Sequence, residues 1–217
     1  IIFMRKNFEY AINESGMVIL TGLPFKNRFV EVPREERFRQ LYSYVLIDMD
    51  ISYALEFLNR CILTYTDIDR KCYFQMAVIQ YAKCYSPARN GGRSHLSAAK
   101  VYKDMEGEPI ECHNKFMEMR NKYFAHDENN FKASKLGAIL NVDAGIMMGV
   151  AYPQIQAEFD YFETMAILRY LCQITQKWVS EKLDKESSSV MRYVEQIGFE
   201  VLNSYEDVIV SKNEESD

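Results

Sequence analysis

At 217 residues the chain is long enough for one well-cored domain and short for two. Its 48% apolar and 26% charged residues are the balance of an ordinary globular protein, and a net charge of -5 argues against a general nucleic-acid coat protein. Five scattered cysteines without CxxC spacing exclude a disulfide framework and a closely spaced zinc site, and point to a reducing, cytoplasmic setting. The most apolar run, residues 136–153, carries Asn141 and Asp143 in its middle, so no membrane span is expected. Glu9, Asn13 and Glu14 break up the apolar core that a secretory signal needs, and an opening Ile1 in place of Met points to a start upstream.

Residues 1–34 read as an N-terminal extension, to which no role is assigned. They mix a short helix with the strand-like run 17-MVILTGL-23, and end near Pro24 and Pro33. Glu35 and Glu36 open a helix to about Leu63, in which Phe38, Tyr42, Val45, Met49 and Tyr53 recur at steps of three and four. A second helix is capped by Asp67 or Asp69 and runs to about Tyr85; its middle is apolar on nearly every side, as in a helix buried on several faces. Pro87 and Gly91-Gly92 end it, and a basic connection, 86-SPARNGGRSHLSAAK-100, follows. The third helix spans about Glu108 to Phe124, with Pro109 in its first turn. Two strands, 137–142 and 146–151, turn through Asp143-Ala144-Gly145. A long helix is expected over about Pro153–Leu183, with Ile155, Phe159, Phe162, Ala166 and Arg169 near one face, and a shorter one over about Ser189–Leu202. Residues 206–217 form a polar tail expected to be disordered. The expected architecture is mainly α, an up-and-down helical bundle occupying 35–205 with one inserted β-hairpin at about 137–151.

The third helix is the most informative. At 100° per residue, Glu111, Lys115, Glu118 and Lys122 share one side, with the acid of each i,i+4 pair placed N-terminally; that is a solvent face. Opposite lie Phe116, Met117, Tyr123 and Phe124, with Arg120 at the centre of the group. An arginine there needs a partner, a cleft or a second chain, since an unpaired buried charge is costly. The bland reading is snorkelling past the core, or pairing with Asp127. His126 lies about 120° from Arg120 on a straight helix, so the two converge only if the helix ends or bends near Ala125 or if two protomers face each other. A lone histidine at a helix end is otherwise a C-terminal cap. Residues 83–135 hold ten Lys/Arg against seven Asp/Glu, a local +3 against -8 for the rest, which is compatible with a discrete phosphate site.

The segment 119-MRNKYFAHDE-128 resembles the R-x(4–6)-H signature of HEPN domains, with Arg120 and His126 in the motif positions, five residues between them, and the polar residue after the arginine present as Asn121. It is most similar to the HEPN proteins of abortive-infection and related defence systems, in which the motif also follows a helical hairpin and a basic linker. The likeness covers about 35–183 in organisation and about ten residues in detail. The β-hairpin after the motif and the region before residue 35 depart from the minimal four-helix pattern.

The resemblance implies a homodimer whose motif helices meet, cleaving RNA without metal or other cofactor by attack of a 2′-hydroxyl on the adjacent phosphate. His126 would then be the acid or base, Arg120 would hold the phosphate through its planar fork, and Asn121 would orient phosphate or ribose. Arg89, Arg93 and Lys122 are candidates for steering RNA, with solvated surface charge the plainer reading of each. Tyr123 is a candidate for stacking on a base, with packing the plainer reading. A neutralising partner protein encoded elsewhere fits the toxin-like class. The alternative is a non-catalytic module of the same fold that binds a protein or nucleotide; it predicts Arg120 locked in a structural ion pair. A metal site of Cys112, His113 and His126 fails on geometry, and no Gly-rich phosphate loop follows a strand.

Overall fold

The computed structural model describes residues 10–12, 18–20, 28–32, 38–88, 93–124, 132–134, 137–151, 154–156 and 161–209. Among these the elements in chain order are β1 (Tyr10–Ile12), β2 (Val18–Leu20), α1 (Arg39–Leu63), α2 (Asp67–Tyr85), α3 (Ala98–Val101), α4 (Pro109–Met119), one π-helical turn (Arg120–Phe124), β3 (Lys132–Ser134), β4 (Gly137–Asn141), β5 (Ile146–Ala151), β6 (Gln154–Gln156), α5 (Tyr161–Ile197) and α6 (Phe199–Asn203). The protein is mainly α with an inserted β-hairpin, as its periodicities lead one to expect. The chain divides into two compact units, residues 39–186 and residues 1–38 with 187–217. Residues from Ser187 on group with the N-terminal segment.

In the larger unit, α1 and α2 form a helical hairpin. Thr66 caps α2, its Oγ1 accepting from the Asp69 backbone N–H at 3.1 Å while its hydroxyl donates to the Asp69 carboxylate at 2.6 Å. Asp67 and Asp69, expected as caps, sit instead in the first turn, where their charge suits the helix dipole. The core is built from Ile47, Ile51, Ala54 and Leu58 of α1, Phe74, Ala77, Val78 and Tyr81 of α2, Phe116 and Met119 of α4, and Leu168, Leu171, Cys172 and Val179 of α5.

This packing decides which helix faces are buried. On α1 the stripe Tyr42, Val45, Met49 and Tyr53 is exposed, whereas the buried face is Ile47, Ile51, Ala54, Leu58 and Cys61. Apolar residues recur at helical spacing on both sides of α1, so periodicity identifies a helix without choosing the side that packs. The long helix starts at Tyr161 and not near Pro153, with Ile155 in β6 and Phe159 outside the described residues. On α5 Phe162 is exposed while Met165, Leu168, Leu171 and Cys172 are buried. The break expected near residue 184 is absent, and α5 runs unbroken to Ile197. No Gly or Pro interrupts 161–197, and the stop comes at Gly198, whose φ of 81° only glycine adopts without strain.

The hairpin forms as its turn residues predict. Ala138 pairs with Val150 and Asn141 with Ile146, a bulge follows Ile139, and Gly145 turns at φ 65°. A separate two-stranded ladder pairs Lys132 with Gln156 and Ser134 with Gln154. Ile139, Leu140, Val142, Ile146, Met147, Met148 and Val150 are all at least half exposed.

In the smaller unit β1 pairs antiparallel with β2. The C-terminal segment pairs too: Val208 N–H donates to the Phe29 carbonyl at 2.9 Å, Glu31 N–H donates to the Glu206 carbonyl at 2.8 Å, and Arg28 holds Asp207. Residues 206–209 are thus paired, although they fall in the expected disordered tail. Residues 210–217 of that tail lie outside the described residues.

Candidate functional site

The fourth helix carries its charges as its wheel dictates. Lys115 bonds Glu111 at 2.7 Å, Lys122 pairs with Glu118, and all four side chains are exposed. On the other side Phe116 and Met119 are buried, and His113 is only 6% exposed. The α-helical pattern ends at Met119, and residues 120–124 continue as a single π turn packed against α2. Such turns cost regular hydrogen bonding and occur often at functional positions.

Arg120 opens that turn. Its side chain is partly buried, and one guanidinium N–H donates to the Asn121 Oδ1 at 2.9 Å. Among the described residues no carboxylate pairs with it; Asp127, its expected partner in the bland reading, lies outside the described residues. Asn121 is exposed beside it, which places an amide and a guanidinium at one spot on the surface. Lys122 is exposed on the opposite, charged face, where Glu118 holds it. Tyr123 lies in the same turn by its backbone. His126 and Arg89 lie outside the described residues.

Arg93 is placed differently from the expectation of a steering or solvated charge. It pairs with the Asp50 carboxylate at 2.5 Å and also donates to the Lys83 carbonyl at 2.7 Å. Lys83 bonds the other Asp50 oxygen at 2.7 Å, and Asp50 itself is 6% exposed. The neighbouring backbone is tied down as well: Ser94 N–H donates to the Ser43 hydroxyl at 3.0 Å, and Leu96 N–H donates to the Cys84 carbonyl at 2.9 Å. Arg93 anchors the end of the basic connection to the helical hairpin.

Beneath α4 lies a polar network that sequence reading missed. Tyr81 Oη is 2.8 Å from His113 Nδ1 and 2.7 Å from Tyr102 Oη; Tyr85 Oη is 2.9 Å from Tyr102 Oη and 2.7 Å from Thr175 Oγ1. Thr175 donates onward to the Leu171 carbonyl at 2.7 Å. The five side chains join α2, the residue after α3, α4 and α5, each satisfying a hydroxyl or ring nitrogen that burial would otherwise leave costly. Tyr81 and Tyr85, four residues apart in an apolar helix, are the legible half of this cluster; Thr175, 90 residues from Tyr85, has no local signal.

The network assigns His113 a structural part. Partly buried Cys112 is its sequence neighbour, and among the described residues no group of three or more His, Cys, Asp or Glu could hold a metal ion. Burial lowers the His113 pKa to about 4, from an ordinary value near 6.5. Between those two values the unfolded chain binds a proton that the folded chain refuses, so stability is complete above about pH 6.5 and falls as the pH drops toward 4. The urea midpoint of the wild type should therefore fall more between pH 7 and pH 4.5 than that of His113→Gln. Equal losses in both proteins would show that His113 is not held neutral in the folded state.

Comparison with family models, with curated proteins and with solved structures finds no match for this chain. Among the described residues no helix is long and apolar enough to cross a membrane.

Proposed function

We propose that the chain is a cytoplasmic, metal-independent endoribonuclease of defence or toxin type, acting as a homodimer, with Arg120, Asn121 and His126 as its working set. The observation that carries this reading is Arg120: a partly buried residue on a π turn, its guanidinium bonded to Asn121 and without a carboxylate partner among the described residues. A structural arginine at that depth is ordinarily paired.

The chemistry follows from these groups. His126 takes the proton from an RNA 2′-hydroxyl, whose oxygen bonds to the adjacent phosphorus. The P–O5′ bond breaks, and the 5′-oxygen leaves with a proton returned by the same imidazole. Arg120 stabilises the charge that builds on the non-bridging oxygens, and Asn121 orients the phosphate or ribose. The products carry a 2′,3′-cyclic phosphate and a 5′-hydroxyl. Purified protein incubated in EDTA with transfer, messenger and total RNA should yield those ends. Intact RNA from all three would overturn the reading.

One observation favours a second reading, that of an interaction module of the same fold. The β4–β5 ribbon exposes large apolar residues on both faces and carries no charge outside its turn, a composition that marks a contact surface. Inert protein in the RNA assay would make this the better account.

A further inference from the structure

The face of α1 that turns away from the core is itself patterned. Tyr42, Val45, Leu46, Met49 and Tyr53 are between 43% and 52% exposed. At 100° per residue they fall within an arc of about 100°. Along that face, with Arg39 about 20° beyond its edge, Arg39, Tyr42, Leu46, Met49, Tyr53 and Glu56 alternate in steps of three and four, the spacing of a heptad seam. Soluble chains seldom leave an apolar stripe of this length open to water.

The order of residue types along the seam is palindromic in character: cation, aromatic, aliphatic, aliphatic, aromatic, anion. Two such helices packed antiparallel about a two-fold axis between residues 47 and 48 bring Leu46 opposite Met49, Tyr42 opposite Tyr53, and Arg39 opposite Glu56. The two-fold repeats each pairing, giving four apolar layers with an opposite-charge layer at either end. Parallel packing would instead set Arg39 against Arg39 and Glu56 against Glu56. A slip of one heptad would bury Glu56 against Leu46, or Arg39 against Met49. Charge thus selects both the direction and the register.

We infer that this face of α1 docks a second copy of the same chain, antiparallel and in that register. The inference is independent of the nuclease reading and concerns a different helix from the one that the resemblance places at the two-fold axis. Glu56 also pairs with Arg60 of its own helix at 2.9 Å, an exposed i,i+4 contact that leaves room for a second cation. A seam of one helix falls at the small end of specific interfaces, so a dissociation constant on the order of micromolar is expected.

Sedimentation of the full chain from about 1 to 200 µM tests this, a range that brackets the expected constant. The wild type should pass reversibly from monomer to dimer. Leu46→Glu changes an exposed side chain, so it should keep its circular dichroism and weaken the dimer about a hundredfold or more. Arg39→Glu or Glu56→Lys alone should weaken it about tenfold, and the double exchange should restore it. A wild type that stays monomeric throughout, or a dimer indifferent to Leu46→Glu, overturns the proposal. Single exchanges that weaken the dimer without recovery in the double overturn the register.

Discussion

Arg120→Ala is expected to lower RNA cleavage in EDTA by about a hundredfold to a thousandfold, the range seen when one transition-state donor is removed. Its melting temperature should stay close to that of the wild type. The truncation orphans no buried carboxylate among the described residues, and the lost packing of a partly buried stem is worth less than about 1 kcal/mol. Arg120→Lys keeps the charge but loses the planar fork that grips two phosphate oxygens, so it should rescue only part of the rate. His126→Ala should match Arg120→Ala in rate. If Arg120→Ala melted early and kept its specific activity, the arginine would be a packing residue and the working set would have to be sought elsewhere.

The largest effect on stability is expected at Asp50. Its carboxylate is almost wholly buried between Arg93 at 2.5 Å and Lys83 at 2.7 Å. Asp50→Ala strands the guanidinium of Arg93, whose side chain is 15% exposed, without a counter-charge. Breaking such a pair costs about 3–5 kcal/mol, against a total of about 5–15 kcal/mol for a domain. Chemical denaturation should show that loss, or the variant should fail to accumulate folded. Arg93→Ala should also destabilise, by less, because Lys83 remains to neutralise Asp50. The two arginines are thus predicted to separate: Arg120→Ala is slow and stable, Arg93→Ala is unstable with a normal specific rate. Arg93→Ala with an unchanged midpoint and weakened RNA binding would reverse that assignment.

The candidate site was partly legible before any fold was known. An arginine among Phe116, Met117 and Tyr123 violates the polarity of its face, and such a violation can be read from a helical wheel alone. Which described carboxylates lie near it could not be read that way. That depends on every carboxylate that folding brings near, and among the described residues none pairs with it. Arg93 shows the converse. In sequence it looks like one more charge in a basic, glycine-containing connection. Its partner Asp50 lies 43 residues away, in a helix whose charged residues resemble solvated ones until the packing is known.

Local physics by itself determined the elements whose signals are local. Gly145 and Asp143 mark the turn of the β4–β5 hairpin, Pro109 starts α4, and i,i+4 charge pairs mark its outer face, because backbone conformation and neighbouring side chains act over a few residues. The tertiary structure alone decided which side of α1 would be buried, that α5 continues past residue 184, and that His113 belongs to a tyrosine cluster closed by Thr175. Each of those outcomes is a competition among surfaces far apart in the chain. The winner is set by which apolar faces fit together and which buried polar atoms find partners, and a sequence pattern carries no record of either until the chain has folded.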